Sequence, residues 1–223
     1  QTVFNLITAI VLIPFADWMV KLSMIVVKEE EEEAPRHPEL LTLHENLYIS
    51  PAVAVAEATK AVAAMGTIAK ANFARCCDIL ISGEITGVEQ IESDEECLDN
   101  FADRSDRFLI GLSKVIETKE DDNQVDMLLQ TVPGFERIGD YATNLVELAE
   151  RLQAEGGTFS ESAKKELRIL CDAVNDILNI TVSAFVANDN EAAKMIEPLE
   201  ETIDDMVLVL RDRHTQRLKA GTC

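Results

Sequence analysis

The chain has 223 residues, of which 47% are hydrophobic and only 5% are aromatic. This composition supports a folded core and is typical of helices rather than of β-sandwiches or barrels. The formal net charge is −21, from 41 acidic and 20 basic residues. It argues against nucleic acid or an anionic lipid surface as the partner and favours cations. We therefore predict an all-α protein that does not bind nucleic acid.

The first segment, residues 3–27, is mostly apolar, although Asp17 and Lys21 interrupt it. A helix that crosses a membrane needs about 20 apolar residues. Two interpretations remain open: the last membrane helix of a transporter, with Trp18 and Lys21 at the interface, or a buried helix of a soluble domain. We favour the first and assign residues 1–27 to a transmembrane helix.

A charge run with two prolines, KEEEEEAPRHP, follows the apolar segment. Because such a run cannot bury one face, residues 28–48 are predicted to form an acidic linker. Five stretches with helical periodicity come after it. Their predicted bounds are Pro51–Ile81, Val88–Glu117, Asp121–Gln153, Ser160–Val186 and Asn190–Lys219.

An internal repeat organises these helices, because ESDEECLDNF and EPLEETIDDM align without gaps at an offset of 105 residues. We predict two antiparallel three-helix bundles, residues 49–154 and 155–223. The third helix of the first unit begins near Asp121, so its counterpart would begin beyond the last residue. The second unit is therefore expected to lack its third helix and to leave an apolar groove exposed.

The pattern Glu-x-x-x-Asp occurs on each of three predicted helices, and its four-residue spacing puts both carboxylates on one helix face. In each helix the Glu lies roughly 70° and the Asp roughly 110° from the centre of the apolar stripe, on the same side. Solvated charges need not share an angular offset, whereas ligands of a common site must. The pairs are Glu95/Asp99, Glu136/Asp140 and Glu200/Asp204.

Carboxylates that are crowded together repel one another, and a bound cation relieves the repulsion. Oxygen ligands suit Mg²⁺, Mn²⁺ and Ca²⁺, while iron and zinc also accept carboxylates. The alternative that this pattern leaves open is a set of surface ion pairs with Arg104, Arg107 or Arg137. The periodicity alone does not decide between a metal site and such ion pairs.

The third predicted helix carries the segment FERIGDYATNL, residues 135–145, which resembles the ERIGDYAxNL signature of PhoU-like domains. The resemblance implies two related three-helix bundles whose acidic motifs bind clusters of metal ions. It implies Glu136 and Asp140 as ligands, with Asn144 one turn further along as an additional candidate. The metal would be a divalent or trivalent ion, such as Mg, Mn, Fe or Zn. The full predicted set is Glu95, Asp99, Glu136, Asp140, Asn144, Glu200 and Asp204.

Both ends of the chain resemble bacterial sodium/phosphate cotransporters. Residues 2–15 are similar to the HTxFNL…LPF end of their membrane region, and residues 213–223 to the RHxxRLxxGxC ending of the fifth helix. The resemblance implies a regulatory domain on the cytoplasmic side of the bacterial inner membrane. Its partners would be inorganic phosphate and sodium, through the transporter's membrane domain, and a homodimer is compatible with it. One departure is that the family's second ERIGDH-type helix is absent.

Motifs of nucleotide binding and of hydrolases are missing from the sequence, as is the Glu-x-x-His pair of di-iron oxidases. We therefore expect no enzymatic activity. The five cysteines lack CxxC spacing, which favours a reducing cytosol over a disulfide framework, with Cys76 and Cys77 filling the core. The competing hypotheses are an acidic helical adaptor of phosphate uptake without metal, and a metal-dependent enzyme.

Overall fold

The computed structural model describes residues 36–221, so the predicted membrane helix and the start of the predicted linker lie outside the described residues. Within the described part, all regular structure is helical, which confirms the predicted all-α class. Residues from Glu39 onwards belong to one compact unit. Its α-helices are α1 (Pro51–Ser82), α2 (Val88–Leu112), α3 (Lys119–Ala154), α4 (Glu161–Ala187), α5 (Asn190–Ala193) and α6 (Ile196–Lys219).

The helix ends follow local chemistry. Helix α1 begins at Pro51, where the missing N–H costs no hydrogen bond. Helices α3 and α4 begin after hydroxyl caps: Thr118 accepts from the Asp121 N–H, and Ser160 accepts from the Ala163 N–H.

Two predicted helices differ from the structure by more than two residues. Helix α2 ends at Leu112 rather than at Glu117 and passes into a turn. The fifth predicted helix is divided into α5 and α6. Pro198 accounts for the division, because within a continuous helix its ring would clash with the carbonyl of Lys194.

The backbone at two helix ends matches the spacing of the predicted repeat. Helix α1 ends at Ser82 and α4 ends at Ala187, which are 105 residues apart. The residues that follow, Gly83 and Asn188, both adopt the left-handed conformation, with φ of 76° and 50°. Left-handed caps end many helices, so this geometry is consistent with the offset of 105 residues, and the division into two copies of one unit stays a prediction.

The core lies between α1, α2 and α3, and α4 packs on α1 from outside. Met65, Phe101 and Leu128 are among its fully buried side chains, one from each of the three helices. Gly66 allows α3 to approach closely, since a Cβ at this position would lie 2.7 Å from the Phe135 ring. Phe185 of α4 meets the edge of that ring, with centroids 5.8 Å apart.

The second part of the predicted linker is folded onto the bundle rather than solvated. Short 3₁₀ turns form at Pro38–Leu41 and Glu45–Ile49. Leu40 is 3% exposed and joins the main core. The Tyr48 hydroxyl donates a hydrogen bond to the Phe108 carbonyl of α2, at 2.9 Å. The apolar residues that follow the charge run therefore extend the first unit towards the N-terminus.

In the second unit, α4 and α6 pack together, but α6 contains no buried residue. Glu166 of α4 holds α6 through Arg217, at 2.7 Å, and Arg213, at 3.6 Å. An open cavity lined by Leu167 and Leu210 lies between the two helices. Large apolar side chains of α6, including Leu208, are exposed. The exposed apolar groove predicted for this unit is therefore present.

Candidate metal centre

Helices α2 and α3 carry two of the three acidic pairs, and a glycine brings these helices close together. A Cβ on Gly139 would lie 3.0 Å from Cδ1 of Leu98, which is fully buried. Leu98 lies between Glu95 and Asp99 on α2, and Gly139 directly precedes Asp140 on α3. Because the helices pack tightly here, the acidic residues beside this contact are brought together.

Three carboxylates meet at this contact. One oxygen from each of Glu95, Asp99 and Asp140 lies within 4.8 Å of the other two. Within residues 36–221 this is the only group of three or more His, Cys, Asp or Glu side chains with that geometry. We call these three residues the carboxylate triad. The structure thus brings together three of the seven ligands predicted from the sequence.

Two carboxyl groups of the triad have raised pKa values, first because they are partly buried and then because negative charges surround them. The pKa of Glu95 is raised first by burial and then by the negative charges of Asp99 and Asp140. The pKa of Asp99 is also raised, by burial and by the charges of Asp140 and Asp103. Both shifts have the sign expected when carboxylates share a site without enough positive charge.

Glu136 belongs to the same electrostatic environment, although it is not part of the triad. Its pKa is raised by burial and by the charges of Asp140 and Asp99, while Arg137 opposes the shift. It lies one turn before Asp140 on the same helix face. Glu136 is therefore near enough to interact with the charges of the triad, and its role as a ligand stays a prediction.

The alternative of surface ion pairs finds little support around the triad. Arg107 donates from Nε to the Asp103 carbonyl, and Arg104 and Arg107 line a shallow pocket beside Tyr48. Among the described residues, no ion pair within 4.0 Å joins an Arg or Lys to the triad or to Glu136. The uncompensated oxygens therefore fit a hard cation such as Mg²⁺ or Mn²⁺.

A buried polar network behind the triad fixes α2 on α1. Asp94, which is 1% exposed, forms an ion pair with Arg75, and Arg75 also donates to the Asn72 side-chain oxygen. The Asn72 amide in turn donates to the Ile91 carbonyl, at 3.1 Å. The sequence prediction missed this network. The sequence does contain a sign of it, because Asp94 lies at helical spacing from Ile91 and Leu98. This spacing places the Asp94 carboxylate on the apolar face of the helix and therefore in the core.

The remaining predicted ligands lie elsewhere. Asn144 is exposed on α3, one turn beyond Asp140. Glu200 and Asp204 are exposed on α6 and join no group of three potential ligands in the described part of the chain. Their offset relative to the apolar stripe matches that of Glu95 and Asp99, but among residues 36–221 no third potential ligand converges with them. Their role as ligands stays a prediction.

Comparison with known protein families finds a PhoU domain over residues 62–149. The match begins within α1, covers α2 and ends near the end of α3, so it contains the triad and Glu136. Comparisons with curated proteins and with solved structures give no match. The match is consistent with the PhoU-like resemblance expected from the ERIGDY segment. The resemblance to sodium/phosphate cotransporters stays a prediction.

Two described helices, α1 and α4, are long and apolar enough to cross a membrane, with mean hydropathies of 1.3 and 1.5 over their most apolar windows. Half of that window in α1 is buried inside the bundle. Buried core helices reach the same length and hydropathy, so these values are weak evidence of membrane association.

Proposed function

We propose that this chain is a cation-binding regulatory domain that acts in the control of phosphate uptake. The PhoU domain match supports a role in phosphate regulation. The observation that carries the cation-binding part is the carboxylate triad, whose oxygens converge and form no ion pair with an Arg or Lys among the described residues. We propose binding rather than catalysis, with inorganic phosphate as the regulated solute.

A cation bound at the triad would act through its positive charge. A hard cation at the triad would neutralise the repulsion that helps to raise the pKa values of Glu95 and Asp99. Because these residues belong to α2 and Asp140 belongs to α3, the cation would also cross-link the two helices. Coordination positions left open towards solvent would accept water or a phosphate oxygen. Phosphate occupancy would then be coupled to the stability of the first unit.

We further propose that the domain is attached to a sodium-dependent phosphate transporter, on the cytoplasmic side of the bacterial inner membrane. Residues 2–15 and 213–223 support this context through their resemblance to cotransporter sequences. Sodium and phosphate would be bound by the transporter's membrane region, and this domain would limit or report uptake. Measuring phosphate uptake by the full transporter with and without Asp140→Asn tests the link, and unchanged uptake would contradict it.

Cation binding is tested by melting the purified chain with and without a chelator. We expect the midpoint to fall on chelation and to recover when Mn²⁺ or Mg²⁺ is added, because the ion binds only the folded state. The double variant Glu95→Gln with Asp140→Asn should not respond to either treatment. Glu92→Gln with Glu147→Gln changes the same charge on exposed positions of the same helices and should respond normally. An unchanged midpoint in the unsubstituted chain would rule out the metal centre.

An acidic adaptor without metal is the second candidate, and the exposed apolar side chains of α6 favour it, since such surfaces bind other proteins. Elemental analysis of the purified chain separates the two functions. Metal retained by the unsubstituted chain and lost in the double variant supports the cation-binding domain. Metal-free protein that gains no metal on incubation with Mn²⁺, Mg²⁺, iron or zinc supports the adaptor.

A further inference from the structure

Two thiols link the first unit to the second, away from the carboxylate triad. Cys77 of α1 and Cys171 of α4 pack together with Ile81 in a small buried cluster. Their exposed fractions are 1% and 8%. Each thiol lies close enough to the other to affect its ionisation. Both cysteines are free thiols in the structure.

An ion pair beside the thiols holds the two helices in register. Asp78 directly follows Cys77, and Arg168 lies one helical turn before Cys171. Nη1 of Arg168 is 2.5 Å from Oδ1 of Asp78. The ion pair and the buried thiol cluster join α1 to α4 at the same level, so the two thiols are neighbours in the folded protein.

The two thiols differ in how readily they ionise. Interaction with the Cys77 thiol lowers the pKa of Cys171, and the charge of Arg168 acts in the same direction against burial. The same interaction, together with burial, raises the pKa of Cys77. Cys171 is therefore the thiol that ionises more readily, which favours it as the nucleophile. The neighbouring Cys76 packs in a different cluster, with Ala142, and burial raises its pKa to about 12.

We propose that Cys77 and Cys171 are a redox pair that closes a reversible α1–α4 disulfide when the protein meets hydrogen peroxide. The Cys171 thiolate attacks one peroxide oxygen and breaks the O–O bond, forming a sulfenic acid and hydroxide, which takes up a proton to become water. The Cys77 sulfur then attacks the Cys171 sulfur. The hydroxyl group leaves with the Cys77 proton as a second water. Two thiols lose two electrons, one peroxide gains them, and an external thiol reverses the bond by exchange.

The bond joins the unit that carries the triad to the unit that carries the exposed face of α6. Oxidation would therefore fix α4 on α1 without involving any carboxylate of the triad. Formation of the disulfide needs neither a metal nor phosphate, so its test is independent of the proposed function.

The test uses a chain in which Cys76, Cys97 and Cys223 are replaced by alanine, leaving Cys77 and Cys171. After treatment with hydrogen peroxide and tryptic digestion without reductant, we expect the peptide of residues 76–104 to be linked to that of residues 169–194. The linked species should weigh two hydrogens less than the two peptides together and should disappear with dithiothreitol. Oxidation of Cys171 to a sulfinic acid without the link would overturn the proposal.

A matched control moves one thiol by one position. The chain that keeps Cys76 and Cys171 but carries Cys77→Ala should give no linked peptide, and equal linking in the two chains would contradict the assigned pair. The unsubstituted chain provides a readout that does not depend on these variants folding. Fragmentation of its peroxide-treated linked peptide should place the bond at Cys77, and a bond at Cys76, or none, refutes the proposal.

Discussion

Gly139→Ala tests whether the close approach of α2 and α3 assembles the triad. The new Cβ would lie 3.0 Å from Cδ1 of Leu98, well inside the separation of about 3.5–4.0 Å at which two carbon atoms attract. Leu98 is fully buried, so its methyl group or the two helices must shift by a few tenths of an ångström within a packed core. Overpacking of this kind costs about 1–3 kcal/mol.

Gly134→Ala is the matched control, because Gly134 lies on the same helix and a Cβ there meets nothing within 4 Å. Both substitutions gain roughly 0.5–1 kcal/mol of helix propensity, so the difference between the variants isolates the contact with Leu98. We expect Gly139→Ala to be less stable than Gly134→Ala by about 1–3 kcal/mol. In a chain of this size each kcal/mol corresponds to about 2–4 °C in the melting midpoint.

The measurement is the free energy of unfolding in denaturant, with and without Mn²⁺. Separation of the helices should also weaken stabilisation by Mn²⁺ in Gly139→Ala and leave it intact in Gly134→Ala. Equal stabilities of the two variants, or stronger stabilisation of Gly139→Ala by Mn²⁺, would refute the reasoning.

Three further outcomes are expected. Asp94→Asn should cost about 1–3 kcal/mol of unfolding free energy, because it removes the buried charge that pairs with Arg75. Asp78→Asn breaks the solvent-exposed pair with Arg168 and should cost less than about 1 kcal/mol. Equal losses in the two variants would contradict this assignment. Because the pKa values of Glu95, Asp99 and Glu136 are raised in the folded state, the metal-free fold binds protons more tightly there than the unfolded chain. The unfolding free energy of the metal-free chain should therefore rise as the pH falls from neutral through those raised pKa values. The rise should be smaller in the double variant Glu95→Gln with Glu136→Gln. The same dependence of stability on pH in the double variant and the unsubstituted chain would contradict the shifts. Finally, the Cys77–Cys171 disulfide should raise the unfolding free energy by as much as roughly 4–5 kcal/mol, since it closes a loop of about one hundred residues, and a lower midpoint in the oxidised chain would indicate a strained bond.

The helices could be predicted from the sequence because their periodicity is a local property of the chain. The predicted repeat offset of 105 residues is consistent with the left-handed caps Gly83 and Asn188. The packing of the segment around Leu40 was not predicted, because the charge run before it indicated a solvated linker over residues 28–48. The burial of Leu40 depends on a groove that only the folded helices create.

The candidate site could be predicted only in part, for a physical reason. A pattern along one helix places Glu95 and Asp99 on one face, but a second helix must bring further oxygens to them. Helix α3 does so with Asp140, whereas no third potential ligand converges with Glu200 and Asp204 in residues 36–221. The Asp94–Arg75 pair and the Cys77–Cys171 pair likewise join positions that are distant in the sequence, and no short-range pattern predicts them.

Direct titration of Mn²⁺ into the chelator-treated chain tests the central claim most simply. By isothermal titration calorimetry, we expect saturable binding of Mn²⁺ to the unsubstituted chain. Asp140→Asn should bind at least tenfold more weakly, which corresponds to about 1.4 kcal/mol or more. The control variant Glu92→Gln with Glu147→Gln should bind as tightly as the unsubstituted chain. Equal affinity of Asp140→Asn and the unsubstituted chain would show that the carboxylate triad is not the cation site.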